Sequence, residues 1–338
     1  MVNKKRLRLW LPAVLAVIIA STGLAYWNWY IVPVVPGNKA VDVEVTPGQP
    51  LRAVAAQLHA QGALPHPLDL VLLARLRGDA STIRAGEYLV QPGTNVAGLL
   101  ALLKSGRVVM HPLTLVDGWT FAQVLQAVEQ DPELRHTLKG LDDSVIMTRL
   151  GHPGENPEGR FFPDTYQFPK DTTDAAFLER AYRTMQDHLH AAWQARAQNL
   201  PYKTPYDALI LASIIEKETA QPVERAEIAG VFVRRLEKGM KLQSDPTVIY
   251  GLGNAYNGRI TYKDLRTDTP YNTYTRYGLP PTPICMPGLP SIEAALHPAS
   301  GNALYFVARG DGTHQFSATL QQQDAAVRKY QLTPHRKP

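Results

Sequence analysis

Two acids, Glu216 and Glu218, close the apolar stretch Ala208-Leu209-Ile210-Leu211-Ala212-Ser213-Ile214-Ile215-Glu216-Lys217-Glu218-Thr219, and their types and spacing could do acid–base chemistry. A surface helix shows one apolar stripe; this one is apolar nearly all round, so it reads as a helix buried in a core. At about 100° per residue, Glu218 falls on the side of Leu211, Ile214 and Ile215, and Glu216 roughly opposite, with Leu209, Ala212 and Ser213. A carboxyl group against aliphatic side chains loses solvation in its charged form, so its pKa rises. A protonated acid near neutral pH is what a glycosidic leaving group requires, which makes Glu218 the candidate general acid. The bland alternative is an acid held by an arginine or a backbone donor, doing no chemistry.

The segments that must position such an acid lie on both sides of it. Glu158-Gly159-Arg160-Phe161-Phe162-Pro163-Asp164-Thr165-Tyr166 packs an acid and three rings into one short stretch. That composition suits sugar rings, whose C–H faces stack and whose hydroxyls need acceptors, and it equally suits a packed turn. Thr173 or Asp174 caps a helix from Ala175 to about Ala197, on which His188 and His190 point to different faces and make a poor metal pair. Gln221-Pro222 opens another helix, with Ile228, Val231, Phe232 and Leu236 inward and Gly239 as its stop. In Leu242-Gln243-Ser244-Asp245-Pro246-Thr247-Val248-Ile249-Tyr250-Gly251, Asp245 before a proline reads as an N-cap. Tyr271-Asn272-Thr273-Tyr274-Thr275 runs into Gly278-Leu279-Pro280-Pro281-Thr282-Pro283-Ile284, a proline-stiffened aromatic loop suited to wall a cleft. With no His-Glu-x-x-His spacing and no phosphate-binding Gly loop, neither a metal nor a cofactor is implied. Cys285 is the single cysteine, so no intramolecular disulfide forms, and without an evident His partner it reads as a packed residue.

The chain begins with Lys4, Lys5, Arg6 and Arg8, runs uncharged from Leu9 to Ala25, and ends that run in Tyr26, Trp27, Trp29 and Tyr30. About 20 such residues cross a bilayer, with aromatic rings at the interface and the cations on the cytoplasmic side. A cleaved signal peptide is disfavoured by the length of the run and by the lack of a small-residue cleavage site. The roughly 300 residues that remain exceed one small core, so at least two domains are expected. The sequence is 45% hydrophobic and 19% charged, a globular composition. The net charge of +5 owes much to the first eight residues, and no basic tract interleaved with rings follows, so nucleic acid is not an expected partner. Val43-Glu44-Val45-Thr46-Pro47-Gly48 leads into Leu51 to Leu58, and Tyr88-Leu89-Val90-Gln91-Pro92-Gly93 into Val96 to Leu103. Each reads as a strand, a Pro-Gly turn and an amphipathic helix; Leu113 to Gly118, followed by Phe121 to Val128, looks like a third. Their irregular spacing is not that of a solenoid, and they suit a compact α+β module that binds something or acts as a spacer.

Ala212 to Thr219, Gln243 to Gly251, Tyr271 to Tyr274 with Gly278 to Pro281, and Phe162 to Tyr166 closely resemble the YceG-like endolytic murein transglycosylases, the MltG family, over nearly the whole chain. The resemblance implies an α+β fold: an N-terminal transmembrane helix, a small LysM-like module, and a larger α+β catalytic domain whose buried central helix carries the catalytic Glu. The expected divisions are 1–8 cytoplasmic tail, 9–30 anchor, 31–40 linker, 41–108 LysM-like module and 109–338 catalytic domain. The module departs from a plain LysM pattern. The implied reaction cleaves the MurNAc–GlcNAc bond within glycan strands and leaves a 1,6-anhydroMurNAc end without consuming water. The family's essential glutamate corresponds to Glu218. Gln243, Tyr250, Tyr271, Asn272, Thr273 and Tyr274 are expected to line the sugar subsites with Tyr166, while Asp164 and Asp245 position or cap. Expected partners are peptidoglycan strands, the inner membrane with the catalytic domain in the periplasm, and glycan-polymerising synthases. The alternatives are a hydrolytic muramidase using the same Glu218 and a non-catalytic membrane-anchored peptidoglycan-binding scaffold; a metallopeptidase lacks its ligand spacing.

Overall fold

The structure, a computed structural model, describes residues 4–35 and 38–332, with side chains from residue 12 onward. The basic side chains of Lys4, Lys5, Arg6 and Arg8 and the linker residue Pro36 therefore lie outside the described residues. The chain divides into two compact units, Met1–His111 with Gln167–Asp171, and Pro112–Tyr166 with Thr172–Pro338. It is a mixed α+β protein with an N-terminal apolar helix.

The first unit begins with α1 (Lys4–Tyr30), of which Pro12–Tyr30 is long and apolar enough to cross a membrane and is exposed along most of its length, with Asn28, Trp29 and Tyr30 half-buried at its end. There follow β1 (Val41–Val45), α2 (Leu51–Ala60), α3 (Pro67–Leu76), β2 (Gly86–Val90) and α4 (Val96–Ser105). The two strands read from the sequence pair antiparallel, Val43 opposite Tyr88. Each enters its turn through a glycine in the left-handed region, Gly48 at φ 77° and Gly93 at φ 82°, a conformation other residues resist. Tyr88 is fully buried, its hydroxyl donating to the carbonyls of Arg84 and Leu103. The sequence pattern did not reveal α3. It buries Leu70, Val71, Leu73 and Ala74 yet keeps leucines on its outer face, so no single apolar stripe marks it.

The chain leaves the first unit in β3 (Met110–Thr114) and continues through α5 (Phe121–Gln130), β4 (Leu134–Arg135) and α6 (Asp143–Arg149). It returns briefly in β5 (Thr165–Pro169) and goes on through β6 (Thr172–Thr173), α7 (Asp174–Gln194), α8 (Pro205–Glu218), α9 (Arg225–Glu237), α10 (Asp245–Leu252) and α11 (Tyr262–Arg266). The last elements are α12 (Leu289–Leu296), the hairpin β7 (Tyr305–Ala308) and β8 (His314–Ser317), and α13 (Leu320–Val327). At the centre of this unit is α8. Its start is fixed by a capping box between Thr204 and Asp207, with Pro205 at the first turn. Every residue from Ala208 to Ile215 is buried, against α12, α9, α7 and α10. Ser213 links the helix to the proline-rich loop by accepting from the Ile284 amide, and Cys285 packs there with its thiol pushed up by burial.

Two boundaries differ from the sequence reading. Pro222 opens a single 3₁₀ turn, Pro222–Glu224, before α9 proper begins at Arg225. The N-cap of α10 is Ser244 and not Asp245, and its hydroxyl makes no capping bond because it is turned to a different partner.

One close approach in this core is testable. A Cβ at Gly230 of α9 would come 2.4 Å from the carbonyl oxygen of Ala299, a backbone atom that cannot swing away. Gly230→Ala is expected to destabilise the fold by about 1–3 kcal/mol despite its higher helix propensity. An unchanged thermal midpoint would show that the 299 loop yields freely.

Candidate active site

The last turn of α8 sends its two acids to different surroundings, and their partners tell them apart. Glu216 faces the loop: its carboxylate accepts from the Gly288 amide at 3.1 Å and lies 3.7 Å from the Arg225 guanidinium. It is the acid that fits the bland reading. Glu218 opens instead on a cleft of about 370 Å³ lined also by Arg235, Gln243, Asp245, Tyr274, Phe306 and His314. No Lys or Arg lies within ion-pair distance of Glu218 among the described residues; its partner is the Ser244 hydroxyl, which donates to Oε1 at 2.5 Å. Burial pushes its pKa from 4.5 up to about 7, against the lowering hydrogen bond from Ser244, with Asp245 adding to the rise and Arg235 opposing it. The helix C-terminus on which it sits also disfavours a negative charge. A wider hollow of about 660 Å³ at Trp193, Arg196, Asn199 and Lys203 has no acid among its lining residues.

Two loop segments hold Ser244 in place. Gln243 is in the left-handed region at φ 52°, which costs a non-glycine residue about 1–2 kcal/mol. The strained residue is tied down: its amide donates to the Thr273 carbonyl at 3.2 Å, and its side-chain oxygen accepts from Arg235 at 3.3 Å. The Ser244 amide donates to Thr273 Oγ1 at 3.0 Å, and the Tyr274 hydroxyl donates to Asp245 Oδ1 at 2.5 Å. Thus 243–245 and 273–274 are joined residue by residue. Asn272 anchors the second segment: its buried amide donates to the carbonyls of Asp264, Leu265 and Thr267. Arg235 is nearly buried and donates to the carbonyls of Leu304, Lys241 and Leu242, so its charge reaches Glu218 only through space.

The residues singled out in the sequence therefore fall into three places. Glu218, Gln243, Asp245 and Tyr274 share the cleft. Asn272 and Thr273 are buried beneath it as loop supports. Tyr250, Tyr271, Asp164 and Tyr166 are not among its lining residues. The Tyr250 hydroxyl donates to Glu158 at 2.9 Å, its ring meets Tyr271 edge-on at 4.8 Å, and Tyr271 bonds Thr282. Tyr166 is buried and donates to the Phe162 carbonyl, while Asp164 is exposed and accepts from the Thr165 amide. Glu158 is 4% exposed and is itself pushed up to about 7 by burial.

Comparison with known proteins bears on what such a cleft serves. An endolytic murein transglycosylase of Bacillus subtilis is 30% identical over 334 residues, 93% of this chain and 91% of its own length. An endolytic murein transglycosylase of Streptococcus pneumoniae is 28% identical over 304 residues, 80% of this chain; the chain spans 54% of that relative. The crystal structure of a YceG-like protein from Listeria monocytogenes shares the fold at a TM-score of 0.53 and 29% identity, covering 85% of this chain and 98% of that one. The YceG-like family pattern matches residues 43–329. The chain belongs to the YceG-like family.

Three features of this YceG-like cleft were not read from the sequence: Arg235, the hydroxyl of Ser244 as the partner of Glu218, and a pair formed by His314 and Glu224. His314 lines the cleft, and Glu224 accepts from its backbone amide at 2.8 Å and bonds its Nδ1 at 2.7 Å. A carboxylate only accepts, so Nδ1 carries the proton in this bond and Nε2 is the ring nitrogen left over. The partners lie 90 positions apart, and no local pattern marks them.

The raised pKa of Glu218 makes a stability prediction. Below pH 4.5 the carboxyl is protonated in both states; between 4.5 and about 7 only the folded state keeps the proton, so stability is lost as pH rises through that window. Glu218→Gln removes the loss. It is expected to stabilise the fold by roughly 3 kcal/mol at pH 8 and by little at pH 4.5, read from denaturant midpoints. A gain equal at both pH values would mean the carboxyl is not desolvated.

Proposed function

We propose that this chain is an endolytic peptidoglycan lytic transglycosylase that cleaves the MurNAc–GlcNAc β-1,4 bond within glycan strands and leaves a 1,6-anhydroMurNAc end. The observation that carries the reading is Glu218: a carboxyl raised to about 7, open to a cleft and bonded to a hydroxyl, while its neighbour Glu216 is bound to Arg225 and a backbone amide. Membership of the YceG-like family and relatives named endolytic murein transglycosylases support it.

One carboxyl then serves twice. Protonated Glu218 gives its proton to the glycosidic oxygen as the C1–O bond breaks, freeing the 4-hydroxyl of GlcNAc. As the carboxylate it removes the proton from the C6 hydroxyl of MurNAc, whose oxygen closes on C1, and the enzyme is returned protonated. The substrate's own acetamido oxygen shields the cationic C1, so no second acid is required as nucleophile. Ser244 steadies the carboxylate between the two steps, and Gln243, Asp245 and Tyr274 offer polar groups to sugar hydroxyls. Tyr166, Tyr250, Tyr271, Asn272, Thr273 and Asp164 act in this scheme by holding the loops. No cofactor enters it.

Residues 9–30 serve as a single-pass anchor in the inner membrane, with 1–8 cytoplasmic and the rest periplasmic. Residues 41–108 form a LysM-like module, a reading that the order β1-α2-α3-β2 supports, and residues 109–338 form the catalytic domain. Action beside the synthases that polymerise glycan belongs to the same proposal.

Digestion of isolated sacculi is the test. Wild type is expected to release chains ending in 1,6-anhydroMurNAc by mass spectrometry, and Glu218→Gln to lose at least about 100-fold in rate. Reducing ends would point to hydrolysis, and an unimpaired Glu218→Gln to a binding scaffold.

A pH profile probes the same group separately. The first step needs the protonated acid, so kcat/KM is expected to fall as pH rises above about 7. Ser244 stabilises the charged form, so in Ser244→Ala the pKa rises and the alkaline limb moves to higher pH. A shift to lower pH would contradict this assignment.

A further inference from the structure

Leu68, Leu72 and Leu76 stand on the outer face of α3 and are 67%, 48% and 74% exposed. At i, i+4 and i+8 they form one stripe, turned away from the face that buries Leu70, Val71 and Ala74 in the unit's core. Among the described residues nothing buries them, and a contiguous apolar stripe marks a contact surface.

The position of α3 identifies what it contacts. Asp69 on α3 accepts from Asn28 Nδ2 at 2.5 Å and from Trp29 Nε1 at 3.2 Å. Arg77, its C-cap, donates to the Tyr30 hydroxyl at 2.7 Å with its guanidinium 5.4 Å from that ring. Asn95 donates to the Tyr30 carbonyl, Val34 to the Thr94 carbonyl, and Trp29 packs on the unit's core. The apolar helix is thus bolted to the folded unit at its last turn, and α3 is pinned to that turn near both of its own ends. The span Pro12–Tyr30 holds 19 residues, and at 1.5 Å per residue it matches the roughly 30 Å hydrocarbon thickness of a bilayer. Its final turn, carrying Tyr26, Trp27, Trp29 and Tyr30, therefore lies at headgroup level. So does whatever is fixed to residues 28–30. Arg75 and Arg77 at the end of α3 place cations beside the leucines, as at the surface of an anionic leaflet.

We propose that α3 is an interfacial helix, its Leu68, Leu72 and Leu76 seated in the outer leaflet beside the anchor, so that the first unit rests on the membrane surface. The occupant of the stripe is lipid and not a second protein. This rests on the reading of α1 as a membrane anchor.

The test uses the full chain reconstituted in vesicles of phosphatidylethanolamine and phosphatidylglycerol. Spin labels on Leu72→Cys, Ile18→Cys and Leu320→Cys report, one at a time, accessibility to oxygen and to a water-soluble nickel chelate. Cys285 is buried, and the unsubstituted protein controls for its labelling. The oxygen-to-nickel ratio at 72 is expected to lie several-fold above that at Leu320 and towards that at Ile18. A water-like ratio at 72 with a lipid-like ratio at 18 overturns the inference alone. A label at 72 that is immobilised and shielded from both reagents means a protein covers the stripe, and overturns it too. A water-like ratio at 18 overturns the anchor reading and this inference with it.

Discussion

The hydrogen bond from Ser244 to Glu218 is the contact on which the site's arrangement turns, and most of the surrounding structure exists to hold it. Glu218 comes from a helix held in the core, with every residue from Ala208 to Ile215 buried. Ser244 comes from a loop, and loops do not hold an oxygen to a few tenths of an ångström unaided. Here the loop is fastened to a second one by the Gln243, Ser244 and Asp245 bonds to Thr273 and Tyr274, and the second is fastened by Asn272 to three carbonyls. The left-handed backbone at Gln243 is a cost those bonds offset.

The second acid with a raised pKa, Glu158, shows that such a shift is not by itself the mark of a reactive group. It is buried, accepting from the Phe121 amide and the Tyr250 hydroxyl, and it is not among the residues that line the Glu218 cleft. Glu218 has the same direction of shift but an open side. Geometry separates the two.

How much of this was legible depended on the range of the interactions. The buried character of α8 and the different facing of its two acids follow from helical periodicity alone; the rise at Glu218 comes from burial in a cleft that Ser244, Arg235 and Asp245 share, which periodicity does not show. The strands β1 and β2 were legible as two similar strand-turn segments; that they pair with each other came from the structure. Thr273 and Asn272 read as cleft residues because their neighbours are aromatic and polar; that they lie beneath the cleft depends on partners up to 29 positions away, which no local pattern encodes. Asp245 misled by one position: it is the first residue of α10, and the cap position before it is held by Ser244, whose hydroxyl is spent on Glu218. The helix α3 escaped notice because both its faces are greasy, and the same property makes it informative once its place is known.

Arg235 carries a last implication for sequence variation. Its guanidinium meets three carbonyls and an amide oxygen, and its Cζ also lies 5.1 Å from the centre of the Tyr305 ring. A lysine there would keep the positive charge near the acid but satisfy one or two of those oxygens, leaving the others without a donor in a dry place. Arginine is therefore required at this position for its shape, and swapping it for the other common cation would loosen the groove floor without altering the electrostatic balance.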